Sequence, residues 1–281
     1  MSTHGRRHPV PAETARRADP AAARGAARQQ AIDDMASALT SAAAARRALD
    51  PFSDRMSDLD LATGYAVQRR LRGAAGGLAG WKLGLTSRAK QAQVGLDTPV
   101  YGFLDSTHAL APAQSLDTAA LIQPRAEPEI VFLLGDDLEG PGVTADDVLA
   151  ASSAVAAGLE ILDSRYHDYR FTAADVVADD VSAGRYLVGP LIPPGGIDLG
   201  AVGVTFEKNG TLVATATGAA VLGHPAAAVA WLAGRLTAEG ERLRAGQIVF
   251  SGGLTAATPF APGDVVTARI GQLGTLVLAA T

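Results

Sequence analysis

Glu127 and Glu129 lead straight into the unbroken apolar run Ile130-Val131-Phe132-Leu133-Leu134, with Pro128 between them. Read as a strand, this stretch puts both carboxylates on one face, because side chains at i and i+2 share a side. Pro128 lacks a backbone N–H and points to a sheet edge or a strand start. Two carboxylates held this close repel one another, and a divalent cation with oxygen ligands relieves the repulsion. A charged strand face turned to water satisfies the same pattern. The choice depends on whether the chain also supplies a third ligand, a proton-transfer group and a substrate pocket.

A third acid stands in Gly158-Leu159-Glu160-Ile161-Leu162-Asp163, another apolar strand interrupted by a carboxylate. Acids set among large apolar side chains are paired, hydrogen-bonded or metal-bound. Glu160 therefore joins Glu127 and Glu129 as a candidate ligand, on a later strand that can neighbour the first. An all-oxygen set suits Mg²⁺ or Mn²⁺, which keep open positions for water or substrate. Lys82 sits inside a further apolar strand, Leu78 to Leu85. Its ammonium either reaches solvent from the strand's polar face or serves as a general acid/base tuned by burial or a nearby cation. Arg165 has the forked donors to orient an acid or to bind a substrate carboxylate in bidentate fashion.

The remaining chain frames these residues. With 281 residues, 48% of them hydrophobic, there is enough material for one large or two modest cores. A net charge of −5 argues against a nucleic-acid partner, and no apolar run approaches the ~20 residues of a membrane span. The absence of cysteine excludes disulfides and thiolate chemistry and fits a cytoplasmic address. Residues 1–30 are Arg- and Ala-rich with almost no large apolar side chains, which predicts a disordered tail; Met35 offers an alternative start. Residues 31–281 are expected to form a single catalytic domain whose part 31–76 is helical. Helices are expected over 31–47, from an N-cap within Ser57 to Asp60 as far as Gly73, and from Thr144 to about Ala157. Further helices are expected at Thr172 to Ala178 and after Pro225, with His224 as a cap rather than a ligand. Asn209-Gly210 marks a tight hairpin between two strands.

Five stretches together resemble the hydratase/decarboxylase branch of the fumarylacetoacetate hydrolase superfamily, metal-dependent enzymes of catechol meta-cleavage pathways. They are Gly80 to Ser87, Thr98 to Leu104, the Glu127-Pro128-Glu129 strand, Leu159 to Arg165, and Ser251 to Thr255. The resemblance covers the chain from about Met35 onward. It implies an α+β fold with a mixed, rolled, barrel-like β-sheet core and flanking helices, assembled into a homo-oligomer. It also implies Glu127, Glu129 and Glu160 as ligands of Mg²⁺ or Mn²⁺ and Lys82 as the active-site lysine. Arg165 would add positive charge, and Thr86, Ser87, Leu104, Ser251 and Thr255 are candidate substrate-binding residues. The implied activity is Mg²⁺-dependent decarboxylation of 4-oxalocrotonate, a 2-oxo acid, to 2-hydroxypenta-2,4-dienoate. Hydration of that dienoate is the alternative, and the two enzymes are expected to associate. Hydratases commonly carry Asp where Val100 stands, and the family's Ala-Asp-Asn segment reads Ala178-Asp179-Asp180 here.

Overall fold

Strand pairing around Glu127 and Glu129 organises the molecule. The computed structural model describes residues 20–93 and 95–281; residues 1–19, most of the expected tail, lie outside the described residues. In chain order the elements are α1 (Pro20–Ala45), α2 (Leu61–Gly73), β1 (Leu78–Gly84), α3 (Arg88–Gln93), β2 (Val100–Asp105) and β3 (Arg125–Leu134). There follow α4 (Ala145–Ala151), β4 (Ser152–Leu162), α5 (Ala173–Ala178), β5 (Ala183–Val188), β6 (Gly203–Lys208) and β7 (Thr211–Thr217). The chain closes with α6 (Pro225–Ala238), β8 (Ile248–Phe250), β9 (Thr258–Pro259), β10 (Val265–Ile270) and β11 (Gly274–Ala279).

The larger sheet runs β2-β1-β8-β3-β4-β5, with β9 beside the start of β3; the smaller runs β11-β10-β6-β7. β1 and β8 are parallel and the other pairs antiparallel, so the sheet is mixed and curls as the expected α+β fold requires. Between the sheets and helices lies the main core, to which β3 contributes Ile130 and Phe132, β6 contributes Phe206, and α6 contributes Val229, Leu232 and Leu236. Burying each such side chain stabilises the fold by about 1.5–3 kcal/mol. His224 caps α6 by accepting from Ala226 N at 3.1 Å. Asn209 and Gly210 both have positive φ, 54° and 74°, as the expected tight turn demands.

Three expectations are corrected. Pro128 lies within a central strand, not at an edge. Its carbonyl accepts from Leu254 N at 2.9 Å, on the side where β8 has ended and β9 has not begun, so the missing N–H breaks no rung with β4. The helix from Thr144 stops at Ala151, and Ser152 already belongs to β4. Alanine-rich 151–157 favours helix locally, but continuous pairing with β3 from Ser152 to Leu162 overrides that preference. α1 begins at Pro20 rather than at Ala31, because alanine and arginine are good helix formers even where they build no core. Farther along α1, Ile32, Met35 and Leu39 pack with Phe52, Val67 and Tyr166.

The β1–β8 junction leaves no room for a side chain at Gly80, where a Cβ would lie 1.8 Å from the Ile248 carbonyl oxygen. We expect Gly80→Ala to destabilise the protein by about 3 kcal/mol or more. Chemical unfolding measures this directly, and an unchanged midpoint would contradict the tight parallel junction.

Candidate active site and metal centre

The register of five adjacent strands decides what shares the site. Glu127 pairs with Glu160 across β3 and β4, and Glu160 pairs with Tyr186 of β5. On the other side Val131 pairs with Phe250 of β8, which pairs with Lys82 of β1. Because alternate residues share a face, one face of the curled sheet carries Lys82, Phe250, Glu129, Glu127 and Glu160. Gly158 opposite Glu129 leaves the space that Val131 and Phe250 fill; a Cβ there would stand 2.5 Å from Val131 Cγ2.

Glu127, Glu129 and Glu160 each present a carboxylate oxygen within 4.8 Å of the others, and all three are buried. Burial pushes the Glu129 carboxyl well above its ordinary range, with the negative charges of Glu160 and Glu127 adding to the effect. Burial also raises Glu160, opposed by the adjacent Lys82 ammonium. Lys82, only 1% exposed, forms an ion pair with Glu160 and donates to Val181 O at 2.7 Å. A second lysine, Lys90 of α3, bonds Glu127 at 3.0 Å and Thr255 O at 3.2 Å. Desolvation works against its charge, but the carboxylates of Glu127, Glu129 and Glu160 outweigh that and hold Lys90 above the ordinary lysine value.

Two lysines face three carboxylates, so the ionised cluster keeps an excess negative charge. Glu129 Oε2 accepts from Gly252 N at 2.7 Å, whereas Glu129 Oε1 and Ser251 Oγ have no hydrogen-bond partner among the described residues. Gly253 lies so close that a Cβ would fall 1.8 Å from Glu127 Oε2. An all-oxygen donor set, an orphaned buried oxygen and a backbone cradle without side chains fit a hard divalent cation.

Beside the cluster opens a cavity of about 500 Å³. Lys82 and Glu160 close its buried end, Leu83, Leu162, Phe171 and Val176 supply apolar wall, and exposed Arg170 marks its outer side. The structure brings Thr86 and Ser251 beside Gly252: Thr86 Oγ1 lies where a Gly252 Cβ would go. Ser87 Oγ accepts from Lys90 N at 3.3 Å and so sets the start of α3, which carries Lys90 to Glu127. Thr255 offers its carbonyl to Lys90, and its hydroxyl donates to Ala256 O at 3.2 Å. Leu104 is packed with Val131, Tyr186 and Phe250 and does not line the cavity.

Arg165 does not reach the cavity. Its guanidinium is spent on Asp179 and on the carbonyls of Asp163 at 2.9 Å and Ala183 at 2.7 Å. The pair fixes the turn in which Asp180, Val181 and Ser182 all have positive φ (50°, 51° and 58°), and this turn delivers the Val181 carbonyl to Lys82. Among the charged cavity residues, Lys90, Arg125 and Arg170 escaped the sequence reading. Arg125 was accessible to the argument that paired the glutamates, extended one step back along the strand. Lys90 carried no such signal, since its short helix, Arg88-Ala89-Lys90-Gln91-Ala92-Gln93, has no large apolar residue to define a buried face.

A rolled mixed sheet with buried carboxylates and a lysine at the end of a cavity is the build of a metal-dependent enzyme acting on small acids. Residues 79–279 match the family described as fumarylacetoacetate (FAA) hydrolase C-terminal, and the chain belongs to this family. It is 44% identical over 217 residues to a 4-oxalocrotonate decarboxylase of Pseudomonas sp. (strain CF600), covering 75% of this chain and 82% of that protein. It is 40% identical over 254 residues to a 2-hydroxyhexa-2,4-dienoate hydratase of Comamonas testosteroni, covering 88% and 96%. The solved structure of a 4-oxalocrotonate decarboxylase from Pseudomonas putida G7, complexed with magnesium and adipate, superposes with a TM-score of 0.86 at 37% identity. That likeness covers 90% of this chain and 98% of the other.

The cradle makes a specific demand on Gly253. Gly253→Ala is expected to weaken Mg²⁺ binding at least tenfold while the far-ultraviolet circular dichroism stays native. Titration calorimetry reads the affinity, and wild-type affinity in the variant would show that the cradle is not part of the centre.

Proposed function

We propose that this protein catalyses the Mg²⁺-dependent decarboxylation of 4-oxalocrotonate to 2-hydroxypenta-2,4-dienoate. The observation that carries the reading is the buried trio Glu127, Glu129 and Glu160 with Lys82, at the end of the cavity of a chain 44% identical to a 4-oxalocrotonate decarboxylase. Glu127, Glu129 and Glu160 would hold the ion. Bound there, Mg²⁺ supplies a Lewis acid that stabilises negative charge on a 2-oxo oxygen.

The chain's own residues supply the rest. The apolar wall excludes water, which strengthens the lysine–carboxylate interactions around the reacting acid. Cleavage of the C5–C6 bond releases CO₂, and its electron pair moves through the alkene to the 2-oxo oxygen, where a proton completes the dienol. Lys82 is the proton donor in this reading. Two of its three N–H bonds are held by Glu160 and Val181 O, which leaves one for the substrate. Arg165 acts at one remove, as a positioning residue that fixes the 180–182 turn. Thr86, Ser87, Ser251 and Thr255 shape the cradle and the approach of Lys90, and Leu104 supports the sheet behind it.

Hydration of the dienoate is the second reading, favoured by the fuller coverage of the hydratase relative. The proposal further places the enzyme in the cytoplasm as a homo-oligomer associated with the hydratase that consumes its product. Among the described residues, no helix is long and apolar enough to cross a membrane.

A substrate panel read separately for CO₂ and for 4-hydroxy-2-oxopentanoate distinguishes the two reactions. CO₂ release from 4-oxalocrotonate, abolished by chelation and restored by Mg²⁺, is expected. Lys82→Met should lower kcat by about 10²–10⁴-fold without removing Mg²⁺ binding. Hydration without CO₂ release would establish the second reading instead.

A further inference from the structure

Four cationic side chains line the cavity, and three of them are already neutralised. Lys82 is paired with Glu160, Lys90 with Glu127, and Arg170 with Asp54 through two hydrogen bonds of 2.8 and 2.7 Å. Arg125 is different: among the described residues it has no carboxylate partner and no side-chain hydrogen bond. Its guanidinium lies over the ring of Tyr169, with Cζ 3.8 Å from the ring centroid. Stacking of this kind fixes the plane of the guanidinium while leaving its edge donors open.

The platform is itself held in place. The Tyr169 hydroxyl donates to Gln123 O at 3.1 Å, and Asp168 and Tyr169 both have positive φ, 56° and 58°. Two consecutive non-glycine residues in that region are unfavourable, and such strain persists where the surroundings enforce it. Arg125 also shares its strand face with Glu127, one two-residue repeat or about 6.8 Å along β3, and with Glu129, two repeats along. An anion bound at Arg125 therefore lies in the same cavity as Glu127 and Glu160, displaced from them along β3.

We propose that Arg125, stacked on Tyr169, is the specificity residue that receives the second carboxylate of a dicarboxylic 2-oxo acid, the one remote from the glutamate cluster. This rests on the reading of the site as a centre for 2-oxo acids and adds the residue that tells a diacid from a monoacid. Arg125 grips the carboxylate that later departs as CO₂. Because that charge is lost as the C5–C6 bond breaks, the interaction favours the bound substrate at least as much as the transition state. Its removal is therefore expressed in KM more than in kcat.

The test is equilibrium binding, so it does not depend on turnover. Mg²⁺-loaded wild type, Arg125→Gln, Arg125→Lys and Tyr169→Leu are titrated calorimetrically with adipate and with pentanoate. Adipate is expected to bind at least tenfold more weakly to Arg125→Gln, with a smaller loss in Arg125→Lys and in Tyr169→Leu. Pentanoate affinity should be the same in all four proteins. Equal losses for both acids, or undiminished adipate binding to Arg125→Gln, overturn the assignment. Tyr169→Leu keeps the test valid if the Arg125 variants fail to fold, since it removes the platform and leaves the cation. A protein that binds adipate through Arg125 yet releases no CO₂ would refute the decarboxylase reading alone.

Discussion

Three carboxylates brought within 4.8 Å of one another inside a protein cannot all remain ionised without compensation, and the surrounding structure supplies it from three directions. Lys82 approaches Glu160 from β1, Lys90 approaches Glu127 from α3, and the Gly252 N–H approaches Glu129 from the loop after β8. Each donor depends on a different piece of the fold. The parallel β1–β8 contact sets the first, the Ser87 cap of α3 the second, and the loop that runs on from β8 past Pro128 the third. Gly253 follows from the same constraint, because a side chain there would occupy the space in which Glu127 and Lys90 meet. Even so, one oxygen of Glu129 stays unsatisfied, and a divalent cation with oxygen ligands is the group whose charge and coordination complete the balance.

Lys82 is held by a second buried network, of which only the turn residues Val181 and Ser182 reach the cavity. Arg165 and Asp179 form an ion pair with the guanidinium also bonded to backbone carbonyls, so neither charge is left unpaired. Asp180, fully enclosed, accepts from Phe103 N at 2.9 Å. Asp180 opens three consecutive residues of positive φ, Val181 included, a conformation strongly disfavoured for a β-branched side chain. The turn's product is a single carbonyl aimed at Lys82 Nζ. Gly102 makes the approach feasible, since a Cβ there would lie 2.8 Å from Asp180 Oδ1 and 3.2 Å from Lys82 Cγ. Removing one partner of such a network leaves a buried charge uncompensated, which is why a residue remote from the substrate can govern the lysine that meets it.

Much of this was legible in the chain because it rests on local periodicity. The period of two along 125–134 put Glu127 and Glu129 on one face, and the apolar setting of Glu160 marked it as buried, whereas that of Lys82 left a solvent-reaching ammonium and a buried acid/base both open. The helices capped by Asp60, Thr172 and His224 follow from residue types that accept backbone N–H groups. The misread features are those decided by partners distant in sequence. Ser152 to Ala157 has helical composition and becomes strand only because β3 and β5 flank β4; Pro128 is central only because the ladder happens to be open on its N–H side. Arg165 carries the chemistry of a substrate ligand, but Asp179 lies closer than any substrate could. Lys90 could not have been chosen from a short polar helix without knowing that the helix ends against Glu127.

The same geometry explains how one frame supports both decarboxylating and hydrating relatives. In the proposed reading, the carboxylate cluster and Lys82 would address the end of a substrate common to the two reactions, a 2-oxo or 2-hydroxy acid. What separates the reactions is the other end of the molecule: a second carboxylate to be lost, or an alkene to receive water. The cavity reflects this division, with its buried end fixed by strand register and its outer side built from the 168–171 segment and the edge donors of Arg125. Substitutions in that outer segment can change which acid is held without disturbing the charge balance at the cluster. Reaction choice is thus separable from the metal-binding frame in physical terms: the frame depends on buried charges that tolerate no unpaired partner, whereas the outer wall depends on a partly exposed cation whose counter-charge the substrate brings with it.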